Sequence, residues 1–398
     1  MARTTDLLRS LGGGSRSGVT GADGGRAAAE TAPRRRGYVP AAAALLAVTL
    51  LGTAACGPAT ASSTTSGGAA STPTPTSAPA AAASQPHVTI GYEDAPDPEM
   101  VAIADHYFSK YMHAHVTMKY YSSGPAALAS LASGSLQFMT VLGNPPLATA
   151  IAKGVPLQVI WAQDLYTTGE GLVVKTSSHI TKLSQLEGHR VALASGSTSS
   201  FELATAEKQA GIPAGKIRID NMTPPAMVAA WKSGAIKAAW VWVPFFSDML
   251  HAGGSALLYD KSQGPAAPVF NLAVVNSTWA KTHAALVQGF VQAEAAGVAT
   301  YQKHPHQAYQ AMAKVGAITA AQAQSQAKGL KFLTLQDQLT AGGLGAPGQT
   351  AHSLVTKSLT AAAIWLKASG RASTVPSNFA AFVNPSYAAA VAKGGGAG

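Results

Sequence analysis

From His87 onward the chain carries two hydrophobic rhythms. HVTIGY, HAHVTMKYY, LQFMTVLG and VPLQVIWAQDL are short runs rich in Val, Ile and aromatic residues, the composition of strands. Between them, apolar positions recur three and four apart, the spacing of a helix with one buried face. This predicts helices over 98–112, within SSGPAALASLASGS and over NPPLATAIAKG, where Pro145-Pro146 suits a first helical turn. Strands alternating with helices predict a parallel α/β sheet with right-handed crossovers.

TGEGLVVKTSS then reads as an extended segment leaving this first unit. A second series follows: helix KLSQLEG, strand RVALAS, helix SSFELATAEKQAG and strand KIRIDN. The stretch from Asp220 to Asp248 is the densest in signals. Pro224-Pro225 opens a helix that continues from Ala226 to Lys232 and stops at Ser233-Gly234. Ile236 to Val243 reads as a buried strand closed by Pro244. FNLAVVNSTWAKTH reads as a strand running back, and 280–391 as mostly helical, rich in Ala and Gln.

Upstream of this body the pattern stops. Gly57 to Pro86 is Ala, Ser, Thr, Pro and Gly with almost nothing else, and no charge. It cannot bury enough apolar surface to offset its ordering entropy, so it is expected to be a tether. Its Ser/Thr/Pro bias also suits O-glycosylation. Before it, RRRGYVPAAAALLAVTLLGTAA has the layout of a secretory signal: a basic run, then an apolar run ending in small residues. The apolar run is shorter than a spanning helix needs. The single cysteine, Cys56, follows at once, so no disulfide can form within the chain. Thr53-Ala54-Ala55-Cys56 resembles a bacterial lipobox, with Thr53 where leucine is more usual. That implies lipid attachment at Cys56 and an extracytoplasmic protein anchored to the cell membrane. A plain signal peptide, an uncleaved anchor and a twin-arginine route through Arg35-Arg36 are the alternatives.

With 398 residues and 47% hydrophobic content, the chain can form two lobes with real cores. The net charge is +10, but seven arginines and three acids fall in the first 55 residues. No Lys/Arg cluster follows Arg36, which argues against nucleic acid as a partner. Enzyme signals are poor. There is no nucleophile-elbow or phosphate-loop pattern, and the lone cysteine sits at the end of the leader. His113 and His115 share a strand face but lack a third ligand, so no metal or cofactor is expected. His304-Pro305-His306 reads as a helix opening at the surface.

Four loops precede helices and carry small or polar residues: Tyr92-Glu93-Asp94, Ser122-Ser123-Gly124, Gly143-Asn144-Pro145 and Ser197-Thr198-Ser199-Ser200. The first amides of a helix lack intrahelical partners and carry the positive end of its dipole. Several such starts converging can bind an anion without arginine. Ordinary N-capping is the competing explanation for Ser, Thr and Asn at these places. A ligand amine would need an acid, and Glu93, Asp94, Asp164 and Glu170 follow strands or enter the crossover. Trp242 could wall a short carbon chain, whereas Trp231 and Trp240 suit the core. Tyr92 and Asn271 fall at cleft or hinge positions.

PPAMVAAWKSGAIKAAWVWVP resembles the PPA-x-x-x-A-W-x-x-G-x-I-x-x-A-x-V-W-x-P signature of taurine- and sulfonate-binding proteins of ABC importers. TGEGLVVK, LKFLTLQDQL and AAAIWLKASGR extend the likeness over roughly 87–391. The resemblance implies a two-lobed periplasmic-binding-protein fold of the second type. Two hinge crossings are expected, near Leu165–Val174 and Val269–Val274, with a helical C-terminal segment packed on the first lobe. The implied division is leader 1–55, tether 56–86, first lobe 87–175, second lobe 176–268, return to the first lobe 269–391, and tail 392–398. It implies a monomer that binds a small anionic or zwitterionic sulfonate and delivers it to permease subunits. Ligand contacts are implied at Gly143, Asn144, Pro145, Ser197, Thr198, Ser199 and Ser200. Relatives often carry an acid where this chain has Val243. Receptors for nitrate, bicarbonate or a thiamine-precursor pyrimidine share the fold, as does a pyrimidine-synthase-like enzyme, which would need a cleft histidine.

Overall fold

The computed structural model describes residues 85–264 and 268–394. The expected signal, the lipid-attachment residue Cys56 and nearly all of the tether lie outside the described residues. Among those described, no helix is long and apolar enough to cross a membrane.

Eleven strands and fourteen α-helices are described. The strands are β1 His87–Tyr92, β2 His115–Tyr120, β3 Phe138–Gly143, β4 Leu157–Tyr166, β5 Glu170–Lys175, β6 Arg190–Leu193, β7 Arg218–Asn221, β8 Ala238–Trp242, β9 Gly254–Tyr259, β10 Phe270–Asn276 and β11 Leu330–Phe332. The helices are α1 Glu99–Ala104, α2 Tyr107–Met112, α3 Gly124–Ser133, α4 Asn144–Ala152, α5 Thr198–Gln209, α6 Pro224–Ser233 and α7 Phe245–His251. Then come α8 Ser277–Ala280, α9 Ala284–Lys303, α10 Pro305–Gly316, α11 Ala320–Ala327, α12 Leu335–Gln338, α13 Leu354–Ala368 and α14 Ser386–Lys393.

The strands form two sheets, ordered β11-β4-β10-β3-β1-β2 and β7-β6-β8-β5-β9. Neither is the purely parallel sheet that the strand–helix alternation predicts. β10 returns from the second sheet and inserts antiparallel between β3 and β4. In the second sheet β5 runs antiparallel to β8. β5 and β10 carry the chain between sheets, so the hinge imposes their reversal, while β11 adds a third antiparallel strand at the first sheet's edge. The first crossing is the short link Thr167–Gly169. The second lies just before Phe270, earlier than the expected 269–274, most of which is β10.

Pleating sorts side chains to opposite faces. On β10, Phe270, Leu272 and Val274 join one core with α3, α4 and α13, while Ala273 and Val275 join another with α2 and α9. On β8, Trp240 packs on the α5 side of the second sheet and Val241 on the α6–α7 side. Trp161, Trp231 and Trp240 are fully buried, each worth about 2–3 kcal/mol of apolar burial. α9 and α13 pack on α2 and α4, so the C-terminal helices cover the first lobe, as expected.

The single helix predicted over 98–112 is broken into α1 and α2, with His106 between them in a left-handed conformation at φ 56°. KLSQLEG forms only a short 3₁₀ turn, Leu183–Leu186. The helix and strand predicted within 224–243 are both present, and Gly234 at φ 78° ends α6 as glycine does in an αL cap.

Candidate functional site

A narrow cavity lies between the two sheets. Its walls are Glu93, Ala95, Gly124, Pro125, Val141, Gly143, Pro146, Tyr166, Ser197, Thr198, Trp242 and Asn271. The first sheet's lobe supplies residues after β1 and β3 and the starts of α3 and α4. The second supplies the start of α5 and the end of β8. No lysine or arginine lines it.

The four helix starts are not equivalent. α1 is closed by its own acid: the Glu99 amide donates to Asp97 Oδ1 at 3.0 Å. α3 and α4 carry Pro125 and Pro145-Pro146 in their first turns, and proline has no amide hydrogen. α5 has none of these obstacles. Gly196, at φ 83°, turns the chain so that Ser197 enters extended. The Ser197 hydroxyl donates to Ala194 O at 2.7 Å and does not cap the helix. The Ser200 hydroxyl accepts from the Gly196 amide and donates to Ala194 O. Among the described residues, the amides of Thr198, Ser199 and Ser200 find no acceptor. The capping explanation therefore does not account for α5. Three free amides and the dipole's positive end lie at the start of α5, whose Ser197 and Thr198 line the cavity.

The structure brings Glu93, Gly124, Gly143, Ser197, Thr198, Trp242 and Asn271 together on the cavity wall. The other sequence-selected residues do not line it. Tyr92 is half-buried and packs edge-on against Tyr120, 5.7 Å away. Ser122, Ser123 and Pro145 are not on the wall, although their neighbours Gly124 and Pro146 are. Asn144 is fully buried and turned away, its Nδ2 donating to Ser358 O on α13 at 3.3 Å. The Ser199 and Ser200 hydroxyls are taken up by Glu170 and Ala194 O. Asp164 lies beneath Asn271.

Glu170 sits under α5 rather than in the cleft, accepting from the Ser199 hydroxyl at 2.5 Å. It joins Glu202 and Asp260 in a buried trio with one carboxylate oxygen each within 4.8 Å of the others. Glu202 accepts from the Trp240 indole at 2.9 Å, and Asp260 from the Glu170 amide at 2.8 Å. No described base pairs with them, since the one ion pair is Arg190–Asp220. Burial raises all three acids, Glu170 to about 7. Such a trio must share protons or hold a cation.

Burial, then Asp94 and Glu170, push the Glu93 carboxyl well above the usual range. Asp164 is raised by burial to about 7, with the Asn271 hydrogen bond opposing the shift. Sequence reasoning missed Ala95, Pro125, Val141, Pro146 and Tyr166 on the wall. Pro146 lay within a segment already singled out. Tyr166 carried only the signal that it ends a strand beside a crossing.

Residues 98–308 match the NMT1/THI5-like family model. The chain is 30% identical over 315 residues to the taurine-binding periplasmic protein of Escherichia coli, covering 77% of this chain and 94% of that protein. A putative aliphatic sulfonates-binding protein of Escherichia coli is 28% identical over 211 residues, 53% of this chain and 65% of that one. Among solved structures, the alkanesulfonate-binding protein SsuA from Xanthomonas axonopodis pv. citri, bound to MOPS, is similar in fold, with a TM-score of 0.62. That match is 19% identical and covers 76% of this chain and 99% of SsuA.

Proposed function

This chain belongs to the NMT1/THI5-like family, and from that premise we propose that it is the extracytoplasmic receptor of an ABC importer for taurine or a related sulfonate. The observation that carries the reading is the trio of free amides at the start of α5, where Ser197 and Thr198 line a cavity without a basic side chain. A sulfonate has three acceptor oxygens and one delocalised charge. Amides held by the fold bind it with no side-chain ordering cost.

The cavity also holds a carboxyl group, Glu93. A carboxylate facing a plain anion repels it, whereas a zwitterion can turn its ammonium to Glu93 and its sulfonate to α5. This favours an aminosulfonate over an alkanesulfonate of equal length. Trp242 walls the carbon chain between the two ends. Gly143 lets the lobes approach closely, and closure around ligand is the change that permease subunits would read. The lobes divide at the Thr167–Gly169 link and just before Phe270, so β5, assigned to the first lobe from sequence, belongs to the second. Cys56 carries a lipid, and 56–86 tethers a monomeric body to the membrane. The receptor does no chemistry.

A thermal-shift screen with taurine, ethanesulfonate, nitrate, bicarbonate and an aminopyrimidine tests this. A ligand at 100 times its Kd adds about 2.7 kcal/mol of stability. Stabilisation by taurine above all others supports the reading. Stabilisation by nitrate, bicarbonate or the pyrimidine with none by sulfonates defeats it.

A further inference from the structure

Tyr166 ends β4 where the chain passes from the first sheet to the second. Its ring is 6% exposed and its side chain lines the cleft. Two neighbours fix the state of its hydroxyl. Asn271 Nδ2 donates to Tyr166 Oη at 3.1 Å, and the same nitrogen lies 3.1 and 3.4 Å from the two Asp164 oxygens. Both amide hydrogens are thus engaged, one toward each partner. Tyr166 Oη therefore accepts one hydrogen bond and keeps its own proton.

No described residue accepts that proton. Asp164, the nearest carboxylate in this network, is taken up by Asn271. A buried hydroxyl donor without an acceptor is costly unless something in the cavity accepts from it. Accepting from an amide also polarises the O–H bond and makes it a better donor. Tyr166 lines the same cavity as Ser197 and Thr198, at the start of α5.

We propose that Tyr166 is a ligand-binding residue whose hydroxyl donates to an oxygen of the bound sulfonate, with Asp164 and Asn271 as the positioning pair that aims it. This rests on the sulfonate reading and adds the donor the α5 amides lack: one supplied from the first lobe. The bond then forms only when ligand bridges the lobes. It contributes to closure as well as to affinity.

The test is calorimetry of the full chain with taurine and with ethanesulfonate, alongside the unliganded melting temperature. Tyr166→Phe keeps the ring and its packing. It is expected to bind both sulfonates at least tenfold more weakly, in line with a hydrogen bond to a charged group, at a nearly unchanged melting temperature. Asp164→Asn is expected to cost several-fold on its own and nothing further in the Tyr166→Phe background, because it acts through the hydroxyl. A purely structural role would give losses that multiply and track the melting temperature. Tyr166→Phe binding within twofold of wild type, or multiplying losses, overturns the inference while leaving the receptor reading intact. Wild-type protein that binds neither sulfonate overturns both.

Discussion

Gly143 and Thr198 meet across the cleft with no room for one more carbon: a Cβ on Gly143 would stand 2.7 Å from Thr198 Cγ2. Gly143 ends β3 of the first sheet, and Thr198 begins α5 on the second. The glycine is not needed for its backbone, since φ is −58°. It is needed for the approach of the two lobes.

Gly143→Ala is therefore a wedge. The open form can accommodate the methyl, and the closed form cannot without displacing Thr198. The variant should retain the unliganded melting temperature within a few degrees and bind taurine at least tenfold more weakly in calorimetry. An unchanged affinity would show that the contact does not limit closure.

Glu93 sets the pH response of binding. Its carboxyl holds a proton above the usual carboxylate range because it is buried near Asp94 and Glu170. A ligand ammonium binds the ionised form. Taurine affinity should then rise with pH through the raised Glu93 titration, with proton release on binding, while ethanesulfonate affinity falls. Glu93→Gln should flatten both trends and weaken taurine more than ethanesulfonate. Equal losses for both ligands would remove Glu93 from the amine site.

Glu170 governs stability rather than ligand contact. Its folded-state pKa, raised from 4.5 to about 7, lies above its unfolded value. The folded protein thus binds more protons between those values, and the stability it gains below pH 4.5 is lost as pH rises toward 7. For an isolated group this amounts to on the order of 3 kcal/mol. Glu170→Gln keeps the Ser199 partner an acceptor and removes the titration. Melting temperatures from pH 4.5 to 8 should fall more steeply for wild type than for the variant. Parallel curves would mean that a bound cation, not shared protons, neutralises the trio with Glu202 and Asp260.

Much of this was legible in local sequence. The α6–β8 unit follows from Pro224, Gly234 and the run of buried Ala, Val and Trp, because caps and periodicity act within a few residues. Ser197 to Ser200 stood out because small polar residues before a helix suit an anion. What the pattern could not show was non-local. The insertion of β10 between β3 and β4 depends on a return across the hinge. Tyr166 reaches the cleft only because that return brings Asn271 beside it, 105 residues later. Glu170, next to a family-like segment, looked like a cleft acid. Its burial under α5 became visible only with Ser199 and Asp260 around it. His106 gave no sign that a histidine would adopt φ 56° and split a helix.

A crystal structure of the protein with taurine tests the central claim most directly. The account predicts one taurine between the sheets. Its sulfonate oxygens should lie about 3 Å from the Thr198, Ser199 and Ser200 amide nitrogens, with its nitrogen toward Glu93. A sulfonate held instead by a lysine or arginine, or seated away from the start of α5, would contradict it.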